Sequence, residues 1–380
     1  MIQNRFFPEM KGNFGFGCMR LPMRGEQVDQ EQMNQMVDAF LGAGLNYFDT
    51  AHGYLNGQSE IALRECLVKR YPRQSYLLTN KLSTYFFEKE EDIIPLFESQ
   101  LAACGVDYFD FYLMHAQDRT SFAKYKRLHA YEAGLKLREQ GRIRRFGISF
   151  HDTAPVLDEI LTQYPQVEVV QIQFNYADYE NESVQSRKVY EVCVKHNKPV
   201  IVMEPVKGGS LANLPEAAAN VLRALGGGSP ASYAIRYAAG FDNMCMTLSG
   251  MSDLAQMQDN LSFMADFKPL DDREQAAVKT VCRIFNSMNM IPCTGCHYCV
   301  LDNDCPKHIQ IPEVFACYNS KKIFNNSNQD FYYSAILTKE NGKASHCIKC
   351  GDCEKICPQH LPIRKLLEDV AAEFEKEKTK

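Results

Sequence analysis

The sequence contains no apolar run that approaches the length of a membrane span. It also lacks a strong charge of either sign, and its net charge of -5 argues against a general nucleic-acid binder. The first residues, MIQNRFFPEMKGN, do not have the layout of a signal peptide, because charged residues interrupt each short apolar stretch. Together with cysteines that show no disulfide framework, these absences predict a cytoplasmic protein without a membrane span or a nucleic-acid partner.

Eight of the 15 cysteines lie in two C-terminal runs with regular spacing. In each run three cysteines are separated by gaps of two residues, so that one tight loop directs three thiolates at one cluster face, and a later cysteine precedes proline. The second run has the full spacing of bacterial ferredoxins, and the first differs only in its longer last gap. The runs are Cys293, Cys296, Cys299 and Cys305, and then Cys347, Cys350, Cys353 and Cys357.

This spacing predicts two [4Fe–4S] clusters with crossed ligands, because the cysteine before proline usually ligates the other cluster of the pair. The first cluster is then held by Cys293, Cys296, Cys299 and Cys357. The second cluster is held by Cys347, Cys350, Cys353 and Cys305. Zinc sites would leave the Cys-Pro pairs unexplained, and disulfides suit small secreted scaffolds better than a chain of this size. Two clusters imply that the protein transfers single electrons.

The part of the chain before the cysteines alternates between two kinds of segment. Short apolar, β-branched or aromatic runs occur at 14–21, 45–50, 76–82, 108–115, 143–150, 167–175, 200–206 and 244–250. Segments with helical spacing lie between them, at 31–41, 60–69, 92–104, 122–140, 156–161, 184–196, 229–239 and 254–264. Eight strand–helix units within about 250 residues favour a (β/α)8 barrel of the α/β class over an open sheet. We expect the barrel over residues 1–268 and a small, mostly helical cluster domain over 269–380.

Four polar residues lie at or just after the ends of predicted strands, where barrel enzymes place their chemistry. They are Asp49, Tyr54, Lys81 and His115. Taken singly, each has an ordinary structural explanation: a helix cap, a packed ring, a solvated strand end and a satisfied core histidine. Four such residues at successive strand ends on one rim are much harder to explain that way.

These four residues also fit one chemical function. A buried lysine beside a tyrosine is expected to lower the pKa of the phenol, and an aspartate keeps that lysine charged. The tyrosine then donates a proton to a carbonyl oxygen, which the histidine orients. Protonation of the oxygen requires a hydride for the carbon, and hence a nicotinamide or a flavin.

Residues 14–265 resemble the aldo/keto reductase family, and the cysteine domain resembles that of a subgroup fused to a bacterial-type ferredoxin. The resemblance rests on Gly15 to Pro22 (GFGCMRLP), 48–51 (FDTA), Tyr54, Ser59, Glu60, Lys81, His115, 147–149 (GIS), Gln173, Asn175, Glu204, Pro205 and 250–260. It implies that Asp49, Tyr54, Lys81 and His115 form a catalytic tetrad.

The resemblance also implies a nicotinamide site. Ser149, Gln173 and Asn175 are expected at the nicotinamide amide, and the loop Gly250, Met251 and Ser252, with Asn260, at the adenosine phosphates. Further cofactor contacts are expected from Gly17, Cys18, Met19, Met203, Pro205 and Gln256. Three positions depart from the family pattern: Phe150 replaces an asparagine, Met203 a stacking aromatic residue, and Gln256 the arginine that binds the 2′-phosphate of NADP. These departures leave NADP, NAD and flavin open.

Three functions remain open at the sequence level. The first is an oxidoreductase for a carbonyl/alcohol pair, with a small-molecule substrate and an external electron carrier for the clusters. The second is an electron-transfer protein whose barrel binds flavin. The third is a nicotinamide-sensing binding protein with a non-catalytic barrel. The first is the leading hypothesis, and the intact tetrad argues against the third.

Overall fold

The computed structural model describes residues 4–181, 184–288, 290–301, 303, 305–324 and 328–375. The chain forms two compact units. The barrel unit comprises Met1–Val206 and Ala231–Gln275, and the C-terminal unit comprises Lys207–Pro230 and Ala276–Lys380. The segment 207–230, which interrupts the barrel in sequence, thus belongs to the C-terminal unit. The division into domains at residue 268 stays a prediction.

Eight parallel strands close into a barrel, as the alternation in the sequence predicted. Around the barrel the order is β1, β4, β5, β6, β7, β8, β9 and β10, and β10 pairs with β1. The short antiparallel pair β2–β3, which the sequence did not predict, lies outside it. The strands are β1 (Phe14–Gly17), β2 (Met23–Arg24), β3 (Gln27–Val28), β4 (Tyr47–Asp49), β5 (Leu77–Leu82), β6 (Phe109–Gln117), β7 (Ile143–Phe150), β8 (Val169–Gln173), β9 (Val200–Met203) and β10 (Met244–Gly250).

Helices follow the barrel strands. The helices of the barrel unit are α1 (Gln30–Gly42), α2 (Gln58–Leu63), α3 (Ile93–Cys104), α4 (Arg119–Arg127), α5 (Ala130–Glu139), α6 (Ala154–Gln163) and α7 (Ser186–Lys195), and after α8 also α9 (Pro230–Ala239) and α10 (Leu254–Met264). The helix α8 (Glu216–Arg223) lies in the C-terminal unit. Asp29, Asp118 and Asp253 cap α1, α4 and α10, because each carboxylate accepts a hydrogen bond from the backbone N–H three residues later.

The barrel strands are buried on both faces. One cluster of buried side chains, which includes Tyr47, Phe111 and Ile201, is separate from the larger cluster that the helices cover. Gly147 on β7 shows how closely the strands pack, since a Cβ atom there would lie 2.7 Å from the carbonyl oxygen of Val169. Strands covered on both faces have continuous apolar sequences, which is why the sequence pattern identified them.

The C-terminal unit contains the cysteine runs and short helices. After α11 (Asp272–Ser287), whose first turn belongs to the barrel unit, the helices are α12 (Tyr298–Leu301), α13 (Ile311–Phe324), α14 (Asn328–Phe331), α15 (Asp352–Lys355) and α16 (Ile363–Phe374). Their buried core includes Val314, Phe315 and Leu367 together with Cys299, Cys353 and Cys357. Among the residues that the structure describes, no helix is both long and apolar enough to cross a membrane.

Candidate active site

Lys81 stands at the centre of the predicted tetrad. Its ammonium nitrogen Nζ is 2.6 Å from Asp49 Oδ1, 3.0 Å from the carbonyl oxygen of Thr50 and 3.2 Å from Tyr54 Oη. The side chain is fully buried. A charged lysine has three hydrogens to donate and three acceptors surround it, so the geometry matches an ammonium group that donates to the tyrosine oxygen.

The partner of Lys81 is also fully satisfied. Asp49 Oδ2 accepts a hydrogen bond from Gln171 Nε2 at 3.1 Å. Burial raises the pKa of Asp49 and lowers the pKa of Lys81, and the attraction between the two groups opposes both shifts. Gln171 was not predicted as a site residue, although a glutamine inside an otherwise apolar strand is a signal for a buried polar contact.

The pKa of Tyr54 departs from the prediction. Burial, followed by the negative charge of Asp49, raises the pKa of Tyr54 well above its ordinary value. The expectation of a lowered pKa for Tyr54 is therefore wrong for the site as it stands, because the phenolate would be buried and would lie near the negative charge of Asp49. Tyr54 consequently holds its proton at neutral pH.

His115 lies beside Tyr54, with the two ring centroids 5.9 Å apart in an edge-to-face arrangement. Burial, and then the charge of Lys81, lowers the pKa of His115 well below its ordinary value, so the imidazole is neutral. Its Nδ1 lies 2.5 Å from Ser83 Oγ. If the hydroxyl donates to Nδ1, the ring proton resides on Nε2, where it serves as a hydrogen-bond donor. Ser83, just beyond the end of β5, was not predicted.

A buried polar network holds the strand that carries Lys81. Gln100 Nε2 donates to the backbone oxygen of Lys81 at 2.8 Å, and Tyr112 Oη donates to Gln100 Oε1 at 2.5 Å. Gln100 Nε2 also donates to Asn80 Oδ1 at 3.2 Å, and Asn80 Nδ2 donates to Glu60 Oε1 at 2.7 Å. Fully satisfied buried networks fix side-chain positions, so the lysine is held from its backbone as well as from its tip.

Of the residues predicted at the nicotinamide amide, Ser149 lies on β7, Gln173 ends β8 and Asn175 follows it. Ser149 Oγ accepts a hydrogen bond from the backbone N–H of Ala116. Gln173 Nε2 and Asn175 Nδ2 both donate to Asp178 Oδ2 at 2.8 Å. Asp178 is buried and was not predicted; it orients the two amides that were.

Gly250, which is predicted at the adenosine phosphates, pairs directly between β10 and β1 with Gly17, another predicted cofactor contact. A Cβ atom on Gly250 would lie 3.7 Å from Cβ of Arg20 and 3.9 Å from its Nη1. The guanidinium of Arg20 also approaches Glu204, with Nη2 3.6 Å from Oε1. Arg20 is thus a basic residue beside the Gly250 loop, and it was part of the matched segment without a role being assigned to it.

Gln256, in the first turn of α10, directs its side-chain hydrogen bonds to the two residues that precede the helix. Its Oε1 accepts from the backbone N–H of Ser252 at 3.0 Å, and its Nε2 donates to Asp253 Oδ2 at 2.9 Å. Asn260 is buried and donates to the backbone oxygen of Gln256. Of the other predicted contacts, Cys18, Pro205 and Met251 are buried, and Met19 and Met203 are partly exposed.

The first cysteine set lines one pocket of the C-terminal unit. Cys293, Cys296 and Cys299 share this pocket with Cys357, while the crossed ligation itself stays a prediction. Ile311, Phe315, Leu361 and Ile363 form apolar walls. Burial, followed by the nearby thiols of Cys296 and Cys293, raises the pKa of Cys299. Crowded, buried thiols of this kind are costly to ionise without a positive centre between them, so they fit an iron–sulfur cluster.

The second set gathers around Cys353. Burial, and then the neighbouring charges of Glu354, Cys347, Cys350 and Cys305, raises the pKa of Cys353 to about 12. Cys305 thus interacts electrostatically with Cys353, and Cys357 lines the pocket of the first run. In the described part of the chain, no three His, Cys, Asp or Glu side chains converge on one metal-ion position.

Comparisons with known proteins agree with both parts of this description. The model of the aldo/keto reductase family matches residues 13–283, and the model of a 4Fe-4S dicluster domain matches residues 292–361. The first match spans most of the chain and the whole barrel.

Individual relatives cover less of the chain. An aldo-keto reductase of Mycolicibacterium smegmatis is 31% identical over 144 residues, which are 37% of this chain and 50% of that protein. An NADH-specific methylglyoxal reductase of Escherichia coli is 25% identical over 196 residues, 46% of this chain and 57% of that protein. The chain therefore spans about half the length of the curated relatives it matches.

Among solved structures, an aldo-keto reductase from Klebsiella pneumoniae in complex with NADPH superimposes with a TM-score of 0.59 at 20% identity, over 72% of this chain and 90% of that one. This likeness shows the barrel fold. From the barrel, the tetrad geometry and the family match, the chain belongs to the aldo/keto reductase family, and a 4Fe-4S dicluster domain follows its barrel.

Proposed function

We propose that the protein is an oxidoreductase that interconverts a small carbonyl compound and its alcohol, with Tyr54 as the general acid and base. The observation that carries this proposal is the buried Lys81 ammonium, which bonds Asp49 and Tyr54 at the same time. Stability does not explain a lysine in this position, because the cost of removing both charges of a buried ion pair from water can exceed the gain from their attraction. The lysine does have a chemical use, which is to support a negative charge on the tyrosine oxygen.

The tetrad residues divide the proton chemistry between them. Tyr54 holds a proton at neutral pH and donates it from Oη to the substrate oxygen. As the proton leaves, Lys81 Nζ, already 3.2 Å from that oxygen, stabilises the developing phenolate. Asp49 keeps the lysine charged, and neutral His115 orients the carbonyl oxygen. A nicotinamide, when bound, supplies the hydride for the carbonyl carbon.

Residues around the rim would hold that nicotinamide. Ser149, Gln173 and Asn175 offer hydroxyl and amide groups for the carboxamide, and Arg20 offers a guanidinium next to the Gly250 loop for phosphate. Glycines at paired positions on β1 and β10 leave room for a phosphate to approach the backbone. An NADH-specific reductase among the relatives supports the same class of cofactor.

We also propose that the C-terminal unit carries two [4Fe–4S] clusters with crossed ligands and exchanges electrons with an external one-electron carrier. The pocket shared by the first run and Cys357 supports this assignment. Hydride chemistry moves two electrons and each cluster moves one, so two clusters match the electron count of one hydride. Thiol-ligated clusters suit a reducing cytoplasm, where we propose that the protein works.

The first prediction concerns Tyr54→Phe, which removes the acidic hydroxyl and keeps the ring. Carbonyl reduction with NADH or NADPH should fall by about 10²–10⁴-fold on any aldehyde that the wild type reduces, because general acid catalysis is lost. Since the pKa of Tyr54 is raised, the wild type keeps its acid proton as the pH rises, and its rate should show no loss from Tyr54 between about pH 6 and about pH 9.

The matched control is Tyr85→Phe, which removes a tyrosine hydroxyl from an exposed position in the loop after β5. This variant should keep wild-type activity, measured on the same aldehyde panel. Equal activity of Tyr54→Phe and wild type would rule out the proton-donor role.

The second prediction concerns the choice between NAD and NADP. Gln256 and Asp253 offer no positive charge to a 2′-phosphate, so NADP should bind at most about tenfold more tightly than NAD, which corresponds to about 1.4 kcal/mol. Gln256→Arg should improve NADP binding by tenfold or more and leave NAD binding unchanged, because a guanidinium binds phosphate through charge-assisted hydrogen bonds.

Gln258→Arg is the matched control, since it adds the same side chain at an exposed position of the same helix. Titration of all three proteins with both nicotinamides provides the comparison. A strong NADP preference in the wild type would contradict the prediction and would implicate Arg20 instead.

The third prediction tests the clusters and their crossed ligands through iron content. Anaerobically purified wild type should hold about eight irons per chain. The double variant Cys293→Ser/Cys357→Ser should lose one cluster and retain about four irons, because both changes affect the same cluster. The double variant Cys293→Ser/Cys305→Ser should lose both clusters.

Cys282→Ser, outside both runs, is the control and should retain about eight irons. Uncrossed ligation gives the opposite order for the two double variants, and stoichiometric zinc without iron in the wild type would refute the cluster assignment altogether.

A further inference from the structure

The segment that follows β9 has an unusual backbone conformation. We call it the strap, and it consists of the five residues Glu204 to Gly208. Glu204 has φ 57°, Lys207 has φ 49° and Gly208 has φ 62°. Positive φ is uncommon for residues other than glycine and persists only when surrounding contacts hold it. The strap is therefore a segment whose shape depends on what anchors it.

One anchor lies in the barrel unit. Asn175 Nδ2 donates a hydrogen bond to the backbone oxygen of Glu204 at 3.1 Å, and the same amide nitrogen donates to Asp178. Asn175 is among the residues that we propose for the nicotinamide carboxamide. The conformation of the strap at Glu204 is thus joined directly to the proposed cofactor site.

The other anchor is Gly208, in the C-terminal unit. A Cβ atom on Gly208 would lie 2.2 Å from the carbonyl oxygen of Thr294, 2.7 Å from its carbonyl carbon and 2.8 Å from its Cα. No side chain fits in this space, since all three atoms belong to the backbone. Thr294 lies between Cys293 and Cys296, so Gly208 rests directly on the loop of the first cluster.

We propose that Gly208 and Thr294 are positioning residues of the nicotinamide site, through which the loop of the first cluster fixes the strap and, with it, Asn175. This proposal rests on the proposed function. A bound cluster fixes Cys293 and Cys296, and so fixes Thr294 between them, whereas loss of the cluster releases one end of a strained segment. Nicotinamide binding then has to order the strap itself, and its affinity falls.

Thermodynamic linkage makes this coupling reciprocal. If the first cluster strengthens nicotinamide binding by a given factor, nicotinamide must strengthen retention of the first cluster by the same factor. Couplings between sites are typically about 5–150-fold. None of the proposed ligands of the second cluster flanks Thr294 in sequence, so loss of the second cluster provides an internal control.

The main experiment compares two variants that each remove one cluster. Equilibrium dialysis with NADH under anaerobic conditions should show binding weakened at least about fivefold in Cys296→Ser, which loses the first cluster. Cys350→Ser, which loses the second cluster, should bind NADH within about twofold of the wild type. Iron analysis should show that each variant retains about four irons.

A second pair of variants tests the contact itself. Gly208→Ala and Gly209→Ala both place alanine at positive φ, 62° and 97°, but the Cβ atom on Gly209 has only the end of the Asn213 side chain nearby, at 3.9 Å. Gly208→Ala should therefore weaken NADH binding at least about fivefold while Gly209→Ala stays within about twofold. The reciprocal measurement uses the wild type alone, in which NADH should slow the release of about four of the eight irons to a chelator.

The outcomes separate the two proposals. If the wild type binds no NADH, the proposed function fails. If the wild type binds NADH, and Cys296→Ser and Cys350→Ser bind it equally well, the coupling fails and the proposed function stands. If Gly208→Ala does not fold, unchanged iron release in the presence of NADH overturns the coupling by itself.

Discussion

The ion pair between Lys81 and Asp49 is the interaction on which the site depends. Removing two charges from water is costly, and the structure compensates by satisfying every donor of the ammonium and both oxygens of the carboxylate. A barrel makes this arrangement possible because adjacent parallel strands, here β4 and β5, place their polar ends at one rim and exclude water below it. Tyr54 then receives a hydrogen bond from a lysine that cannot move away.

The raised pKa of Tyr54 has a consistent explanation in this arrangement. Asp49 is paired with Lys81 and adds negative charge near the phenol, so that burial keeps Tyr54 protonated. In the proposed mechanism the lysine becomes important as the proton leaves, since it is already within hydrogen-bond distance of the oxygen that would gain charge. Under that proposal the site favours the charge distribution of the transition state over that of the resting state, which is the general requirement for catalysis.

Sequence reasoning found what local pattern determines, and missed what depends on distant contacts. The eight strands were recognisable because strands buried on both faces are continuously apolar, and cluster cysteines are recognisable because a cluster demands fixed spacing. Gln171 and Ser83 were not found, because each contacts a residue on another strand and has no motif of its own. The segment 207–230 belongs with the C-terminal unit for the same reason, as the contact of Gly208 with Thr294 joins positions that are far apart in sequence. Asp178 was missed although its partners Gln173 and Asn175 are close to it in sequence.

A double-mutant cycle at Asp49 and Lys81 tests the central claim most directly, with the free energy of unfolding and carbonyl reduction both measured. Asp49→Asn and Lys81→Met should each lower the free energy of unfolding by about 3–5 kcal/mol, because each leaves an uncompensated buried charge. The account predicts that the double variant is more stable than either single variant and yet reduces carbonyls as poorly as Lys81→Met alone. A double variant whose stability losses add, or one that regains activity, would contradict it.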